Sequence, residues 1–230
     1  MDISVIVPLL NERESLKELC DRIDSSLKEA HLSYEIIMVD DGSTDDSWDE
    51  IIRLSKANDA IHGIRFRRNY GKSAALYCGF KKATGDVVVT MDADLQDFPE
   101  EVPAMYEMIV REKWDIVSGW KQHRQDNALT KNLPSKLYNA TARRITGIKL
   151  HDMNCGLKAY RNEVIKDIEV YGEMHRYIPY LAKNAGYTRI TEKPTRHAKR
   201  KFGKSKFGMN RFVNGYLDLM SIMFVSKFGK

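Results

Sequence analysis

The feature that most constrains this chain is an alternation. Between residues 3 and 119, short apolar runs alternate with longer segments whose apolar residues recur every three or four positions. The runs at 3–8, 34–39 and 86–91 are rich in Ile, Val and Met, as expected of buried strands, and shorter apolar runs lie within 61–66 and 114–119. The segment 11–30 carries Leu16, Leu19, Ile23 and Leu27 at helical spacing. Segments 43–56 and 71–84 read as further helices, with Gly85 as a stop. Pro99 opens another, at a position where proline is tolerated. This β-α-β order, with strands apolar on both faces, implies an α/β fold: a Rossmann-like, doubly wound, mostly parallel sheet covered by helices on both sides. In such sheets ligands bind beyond the carboxyl ends of the strands.

The second half is less regular. A helical pattern covers 127–146, with Lys131, Lys136, Arg143 and Arg144 on one side. A strand is expected at 156–161, a helix at 174–185 and a strand at 187–191. No internal repeat or low-complexity linker interrupts the chain, so one domain is expected over 1–208, followed by an extension at 209–230. The 230 residues are 43% hydrophobic and 30% charged, which fits a globular chain rather than a disordered one. Cys20, Cys78 and Cys155 are too few and too widely spaced for a disulfide framework or a CxxC metal site, which points to a reducing compartment. The N-terminus lacks a basic leader and reads as a first strand rather than a signal peptide.

Charge is unevenly distributed. Residues 193–211 hold eight Lys/Arg and no acid, leaving 29 basic against 32 acidic residues elsewhere. Such a block is either a solvated tail or a site for phosphates, on a nucleotide, a nucleic acid or a membrane. Downstream, Phe212, Val213, Tyr216, Leu217, Leu219, Met220, Met223, Phe224 and Val225 make an amphipathic, interface-like helix. Its apolar run at 219–225 is far too short to span a bilayer.

Two acidic clusters follow expected strands, at the edge where ligands bind. Residues 90–101 read TMDADLQDFPEE, with five acids among twelve residues. Asp92 and Asp94, two apart, would share a face at a strand end and reach one ion. Mg²⁺-like cations take one or two carboxylates plus substrate phosphates. Asp97, before Phe98 and Pro99, reads in part as a helix cap. Glu100 and Glu101 suit an acidic first turn. After the second strand, Asp40 and Asp41 begin DDGST. That is equally a good turn with an N-cap or a pair of acceptors for a base or ribose. Residues 69–73 contain GKS without the upstream glycine of a P-loop, and no GxGxxG follows the first strand. His151, His175 and His197 have no metal-ligand spacing.

Taken together, VIVPLLNE (5–12), VDDGSTDDS (39–47), GKSAALYCGF (71–80), GDVVVTMDADLQDFPE (85–100) and RKFGKSKFG (200–208) resemble the family 2 glycosyltransferases of GT-A fold. Within them the chain is similar to the polyprenol-phosphate hexosyltransferases, the group of dolichyl-phosphate mannose synthase and undecaprenyl-phosphate glucosyltransferases. The resemblance covers nearly the whole chain. It implies inverting transfer of a hexose from a nucleotide-sugar (UDP-glucose, UDP-N-acetylglucosamine or GDP-mannose) to a polyprenyl phosphate, with Mg²⁺ or Mn²⁺ as cofactor. Pro8, Leu10 and Glu12 would line the nucleotide pocket, and Asp41 with Asp40 would recognise the nucleoside. Asp92, Ala93 and Asp94 would form the metal-binding element, with Asp92 and Asp94 as ligands and Asp94 the principal one. Gln96 would contact the sugar or metal-bound oxygens. Lys121 and Arg176 would lie near the donor phosphates, and Arg200 and Lys206 would belong to a loop closing over the diphosphate. Lys131, Arg143 and Arg144 would hold the acceptor phosphate. Asp94, Asp152 and Arg200 are the catalytic candidates, Asp152 as the base.

Relatives often continue into transmembrane helices near the point where this sequence stops. A protein at the cytoplasmic face of an anionic membrane is therefore expected, with the helices absent from the sequence or never present. Some relatives with such helices assemble as homo-oligomers. A family 2 enzyme with a saccharide acceptor is the alternative, although no QxxRW-type element of a processive polymer synthase is found. A nucleic-acid-binding module is more distant, because it leaves the acidic strand ends unexplained.

Overall fold

The computed structural model describes residues 1–122, 141, 143–144, 146–199 and 201–202. The expected helix over 127–146 therefore lies largely outside the described residues. So does the amphipathic segment 209–230, and so do Lys131, Arg200 and Lys206.

The elements run β1 (Ile3–Leu9), α1 (Arg13–Glu29), β2 (Tyr34–Asp40), α2 (Ser47–Ala57), β3 (Ile61–Arg65), α3 (Lys72–Lys82) and β4 (Val87–Thr90). A single 3₁₀ turn at Pro99–Glu101 then leads into α4 (Val102–Val110) and β5 (Ile116–Lys121). β6 (Lys158–Arg161), α5 (Asn162–Asp167), a second 3₁₀ turn at Met174–Tyr177, α6 (Ile178–Asn184) and β7 (Ile190–Thr195) complete the order. The seven strands form one sheet in the order β3-β2-β1-β4-β6-β5-β7. β6 pairs antiparallel with both β4 and β5, while the other pairings are parallel.

Period-two alternation builds the core on both faces. Ile3, Val5 and Val7 of β1 point to the layer made by Leu16, Leu19, Ile23 and Leu27 of α1 with Met105 and Ile109 of α4. Ile6, between them, points to the other layer, with Leu76 and Phe80 of α3, Val164 and Ile165 of α5, and Ile178 of α6. A strand feeding two layers has no room for polar alternation, which is why the strands read as apolar runs.

Several local expectations shift. The second helix starts at Ser47 rather than 43, because Ser43 is used elsewhere: its hydroxyl accepts the Asn11 amide. The last strand begins at Ile190, in register with Ile116, because Gly186 (φ +103°) turns the chain just before. β4 ends at Thr90 and Leu95 takes φ +59°, so Asp92 and Asp94 lie in a turn rather than on one strand face. Asp97 is no helix cap. It is 1% exposed and faces Lys121 across 3.0 Å.

Candidate functional site

The sheet order fixes where a site can form. From β1 the chain moves one way to β2 and β3, and later the other way to β4. The switch point therefore lies between the carboxyl ends of β1 and β4, the place where open α/β sheets hold ligands. Pro8 lies in β1 beside Val39, Leu10 and Glu12 follow its end, and Asp92, Ala93, Asp94 and Gln96 follow the end of β4.

The loop after β2 is zipped to the loop after β1. Asn11, at φ +55°, donates its amide to Ser43 Oγ, and its side-chain oxygen accepts the Thr44 amide at 2.8 Å. The Glu12 amide donates to Ser47 Oγ. Asp40 is fully buried; its Oδ1 accepts the Ser43 amide at 2.8 Å, and Arg65 stands 3.7 Å from its Oδ2. Asp41 accepts two amides of the loop after β3, Tyr70 N at 2.7 Å and Gly71 N at 2.9 Å. Gly42 is required here: at φ +78°, a Cβ would lie 2.5 Å from the Arg68 backbone. The DDGST segment thus serves as turn and loop-holder, with Asp41 facing the β3–α3 loop.

The loop after β4 is held differently. Lys72, at the start of α3, forms an ion pair with Asp92 Oδ1. Burial alone would raise the Asp92 carboxyl, but Lys72, with Lys121 and His175 behind it, holds it well below the usual carboxylate range. Asp94 is 9% exposed, and its Oδ1 accepts the Gln96 amide at 3.1 Å. The Gln96 carbonyl accepts the Ala198 amide at 2.9 Å, and its side chain donates to the Ala198 carbonyl at 3.3 Å. The start of the basic segment is thereby fastened to the acidic loop. Lys121 is turned to Asp97; burial would lower its pKa, but the carboxylate beside it raises it.

The chain from 151 to 157 backs this loop. Asp152 is 3% exposed and its Oδ1 accepts the Asn154 amide. Lys158 is buried, donating to the carbonyls of Met153 and Cys155, and burial lowers its pKa. Arg176 is 8% exposed, with Glu173 at 3.5 Å. Its neighbour His175 meets Ser73 of α3 through its Nδ1 and its amide, both at 3.0 Å. Arg143 donates to the Leu150 carbonyl, and Arg144 is exposed. Part of the basic run is matched internally: Lys193 and Arg196 meet Glu101, and Lys201 meets Glu18.

Sequence reasoning missed Lys72, Ser73 and Lys158. Lys72 and Ser73 stood in the GKS triplet, weighed as a fragment of a P-loop and within the motif at 71–80, with no role assigned to either. Lys158 sits in a four-residue strand with no periodic signal.

The donors suit a hard divalent cation, being carboxylate oxygens of one loop. Among the described residues no group of three or more His, Cys, Asp or Glu is placed to cage a metal. The arrangement fits a cation held by one or two protein carboxylates and completed by substrate phosphate, rather than an all-protein site.

A mostly parallel sheet with carboxylates crowded at its switch point defines a GT-A-type α/β architecture. The description "Glycosyl transferase family 2" matches residues 4–169, and the chain belongs to that family of glycosyltransferases. It is 36% identical over 230 residues to the dodecaprenyl-phosphate galacturonate synthase of Rhizobium johnstonii, covering 99% of this chain and 68% of the relative. It is 38% identical over 222 residues to the undecaprenyl-phosphate 4-deoxy-4-formamido-L-arabinose transferase of Pseudomonas syringae pv. syringae, covering 96% and 65%. The chain spans about two thirds of the length of these curated relatives. Among solved structures, glucosyl-3-phosphoglycerate synthase from Mycobacterium tuberculosis with Mn²⁺, UDP-glucose and phosphoglyceric acid shares the fold. Its TM-score is 0.70 at 20% identity, covering 98% of this chain and 79% of that one.

Proposed function

We propose that this protein transfers a hexose, with inversion, from a nucleotide-sugar to a polyprenyl phosphate at the cytoplasmic face of a membrane. The observation that carries the reading is the crowding of Asp92, Asp94 and Gln96 at the β1–β4 switch point, beside Lys72 and the nucleotide-side loops. The names of the curated relatives supply the acceptor class, and the Mycobacterium tuberculosis structure supplies a family precedent for a metal and a nucleotide-sugar.

The acceptor phosphate is anionic at neutral pH. Its oxygen attacks the anomeric carbon and forms the new C–O bond while the bond to the nucleoside diphosphate breaks. One displacement inverts the centre. The protein's tasks are to orient two substrates, meet the charge of the leaving diphosphate and exclude water. Asp94, with Asp92 beside it, would hold Mg²⁺ or Mn²⁺, which when bound neutralises the departing diphosphate. Pro8, Leu10, Glu12, Asp40 and Asp41 form the nucleoside side. Lys121, Arg176, Arg200 and Lys206 belong to the donor side, Lys131, Arg143 and Arg144 to the acceptor phosphate, and Asp152 to the base position. Among the described residues no helix is long and apolar enough to cross a membrane. The membrane contact would fall to the basic segment and to 209–230, where each Lys/Arg near an anionic surface contributes about 1 kcal/mol.

The test is transfer of radiolabelled sugar to undecaprenyl phosphate with Mg²⁺ or Mn²⁺. The donors would be UDP-glucose, UDP-N-acetylglucosamine, GDP-mannose and nucleotide-linked forms of the two sugars named in the relatives. Label moving into the organic phase supports the reading. Label moving only onto a water-soluble saccharide would instead favour the alternative acceptor.

A further inference from the structure

Gly156, in the chain that backs the acidic loop, is a glycine for an uncommon reason. Its φ lies outside the left-handed region, so a positive φ would not strain an L-residue there. What excludes a side chain is one carboxylate. A Cβ at this position would lie 2.5 Å from Asp92 Oδ2, 2.7 Å from its Cγ and 2.9 Å from its Oδ1. Gly42 and Gly85 differ, because a Cβ on either meets main-chain atoms first. The backbone around Gly156 is pinned on several sides. The Thr90 hydroxyl donates to the Gly156 carbonyl at 2.8 Å, and the Gly119 amide donates to the Leu157 carbonyl at 2.9 Å. The buried Lys158 ammonium donates to the carbonyls of Met153 and Cys155. The Asp92 carboxylate is instead held at its tip, by the Lys72 ammonium from the start of α3. A methyl group at residue 156 would therefore leave the backbone in place and push the carboxylate aside.

We propose that Gly156 is a positioning residue of the donor site. By carrying no side chain, it lets the Asp92 carboxylate lie against the 153–157 backbone, where Lys72 meets it at the end of β4. Thr90 and Lys158 serve the same end by fixing the surface on which Asp92 rests. The inference rests on the donor-site reading, in which Asp92 belongs to the cation and diphosphate end. It deepens that reading by naming what sets the place of this carboxylate.

The experiment is a Mn²⁺ titration in the presence of UDP and, separately, of GDP, with free Mn²⁺ counted by electron paramagnetic resonance. It uses the wild-type protein, Gly156→Ala, Asp92→Ala and the double change Gly156→Ala with Asp92→Ala. Unfolding curves are recorded for each. Altering a group that orients a metal ligand typically costs roughly 10–100-fold in affinity, so Gly156→Ala should bind Mn²⁺ at least tenfold more weakly while keeping the wild-type unfolding midpoint. In the Asp92→Ala background Gly156→Ala should have no further effect, because the colliding carboxylate is gone. If Gly156→Ala alone does not fold, the double change should restore the fold for the same reason. Wild-type Mn²⁺ binding in Gly156→Ala, together with weakened binding in Asp92→Ala, overturns the inference and leaves the donor-site reading standing. A loss from Gly156→Ala that persists in the Asp92→Ala background, or a double change that stays unfolded, also overturns it. If Asp92→Ala binds Mn²⁺ like the wild type, the place given to Asp92 in the donor site is wrong, and the inference falls with it.

Discussion

The two ends of the same strands handle carboxylates in opposite ways. At the amino-terminal edge stands Glu35, 5% exposed, at the start of β2. Its Oε1 accepts the Ser4 hydroxyl at 2.6 Å and the Thr84 amide and hydroxyl at 2.8 and 2.6 Å. One charge is shared among neutral donors from two segments, and the result is a rivet. At the carboxyl-terminal edge, Asp40, Asp41, Asp92, Asp94 and Asp97 crowd into two loops, with Lys72, Lys121 and Arg65 drawn in beside them. Taking that many charges from water costs the fold several kcal/mol per ion before any pairing offsets it. Strand termini do not need such an arrangement for stability, since a capped turn would serve. A site that must bind a cation and a diphosphate does need it.

Four changes test this contrast. The largest effect belongs to the buried pair: Asp97→Ala should cost about 3–5 kcal/mol in denaturant unfolding, because Lys121 is left buried without its partner. The joint change Asp97→Leu with Lys121→Met should recover most of that. A cost below about 1 kcal/mol for the single change would mean that the pair is no structural unit. Asp94→Asn should do the reverse, reducing transfer by more than the roughly 10–100-fold typical of outer metal-site partners. Its unfolding midpoint should stay where the wild type has it. Gly42→Ala should destabilise by about 2 kcal/mol, because an L-residue in the left-handed region is strained by about 1–2 kcal/mol and this one also meets the Arg68 backbone. An unchanged midpoint would show that the β3–α3 loop yields freely.

The smallest effect lies at the other edge. Burial alone would raise the Glu35 carboxyl, but the hydrogen bonds of Ser4 and Thr84 hold it below its ordinary 4.5. A lowered folded value means that the contribution is fully present above pH 4.5 and is lost as pH falls through the folded value. Glu35→Gln should therefore cost about 1 kcal/mol at neutral pH and progressively less on acidification, with kcat untouched. A cost that does not change with pH would remove the charge from the explanation.

How much of this was legible depends on the range of the interactions. The alternation through residue 119 was visible because each strand carries its own apolar run and each helix its own stripe. The position of β6 was not, because Lys158–Arg161 is four residues long and its antiparallel place between β4 and β5 is decided by neighbours on both sides. Asp97 looked like a cap because only its local sequence could be consulted, whereas its partner Lys121 sits 24 positions later on β5. Lys121, expected near phosphates, is engaged for the same reason. The basic run looked like unbroken excess charge, yet Lys193, Arg196 and Lys201 find Glu101 and Glu18 in the folded chain. The acidic loop after β4 stood out in the sequence as a candidate site because five acids in twelve residues are more than a capped turn at that edge uses.

These carboxylates are proposed to serve sugar transfer to a lipid phosphate. The most direct measurement is divalent-cation-dependent movement of radiolabel from a nucleotide-sugar into the organic phase with undecaprenyl phosphate, with and without a chelator. The expected result is a lipid-linked product that disappears with the chelator and with Asp94→Asn. No organic-phase product from any of the donors, or a product indifferent to both, would contradict it.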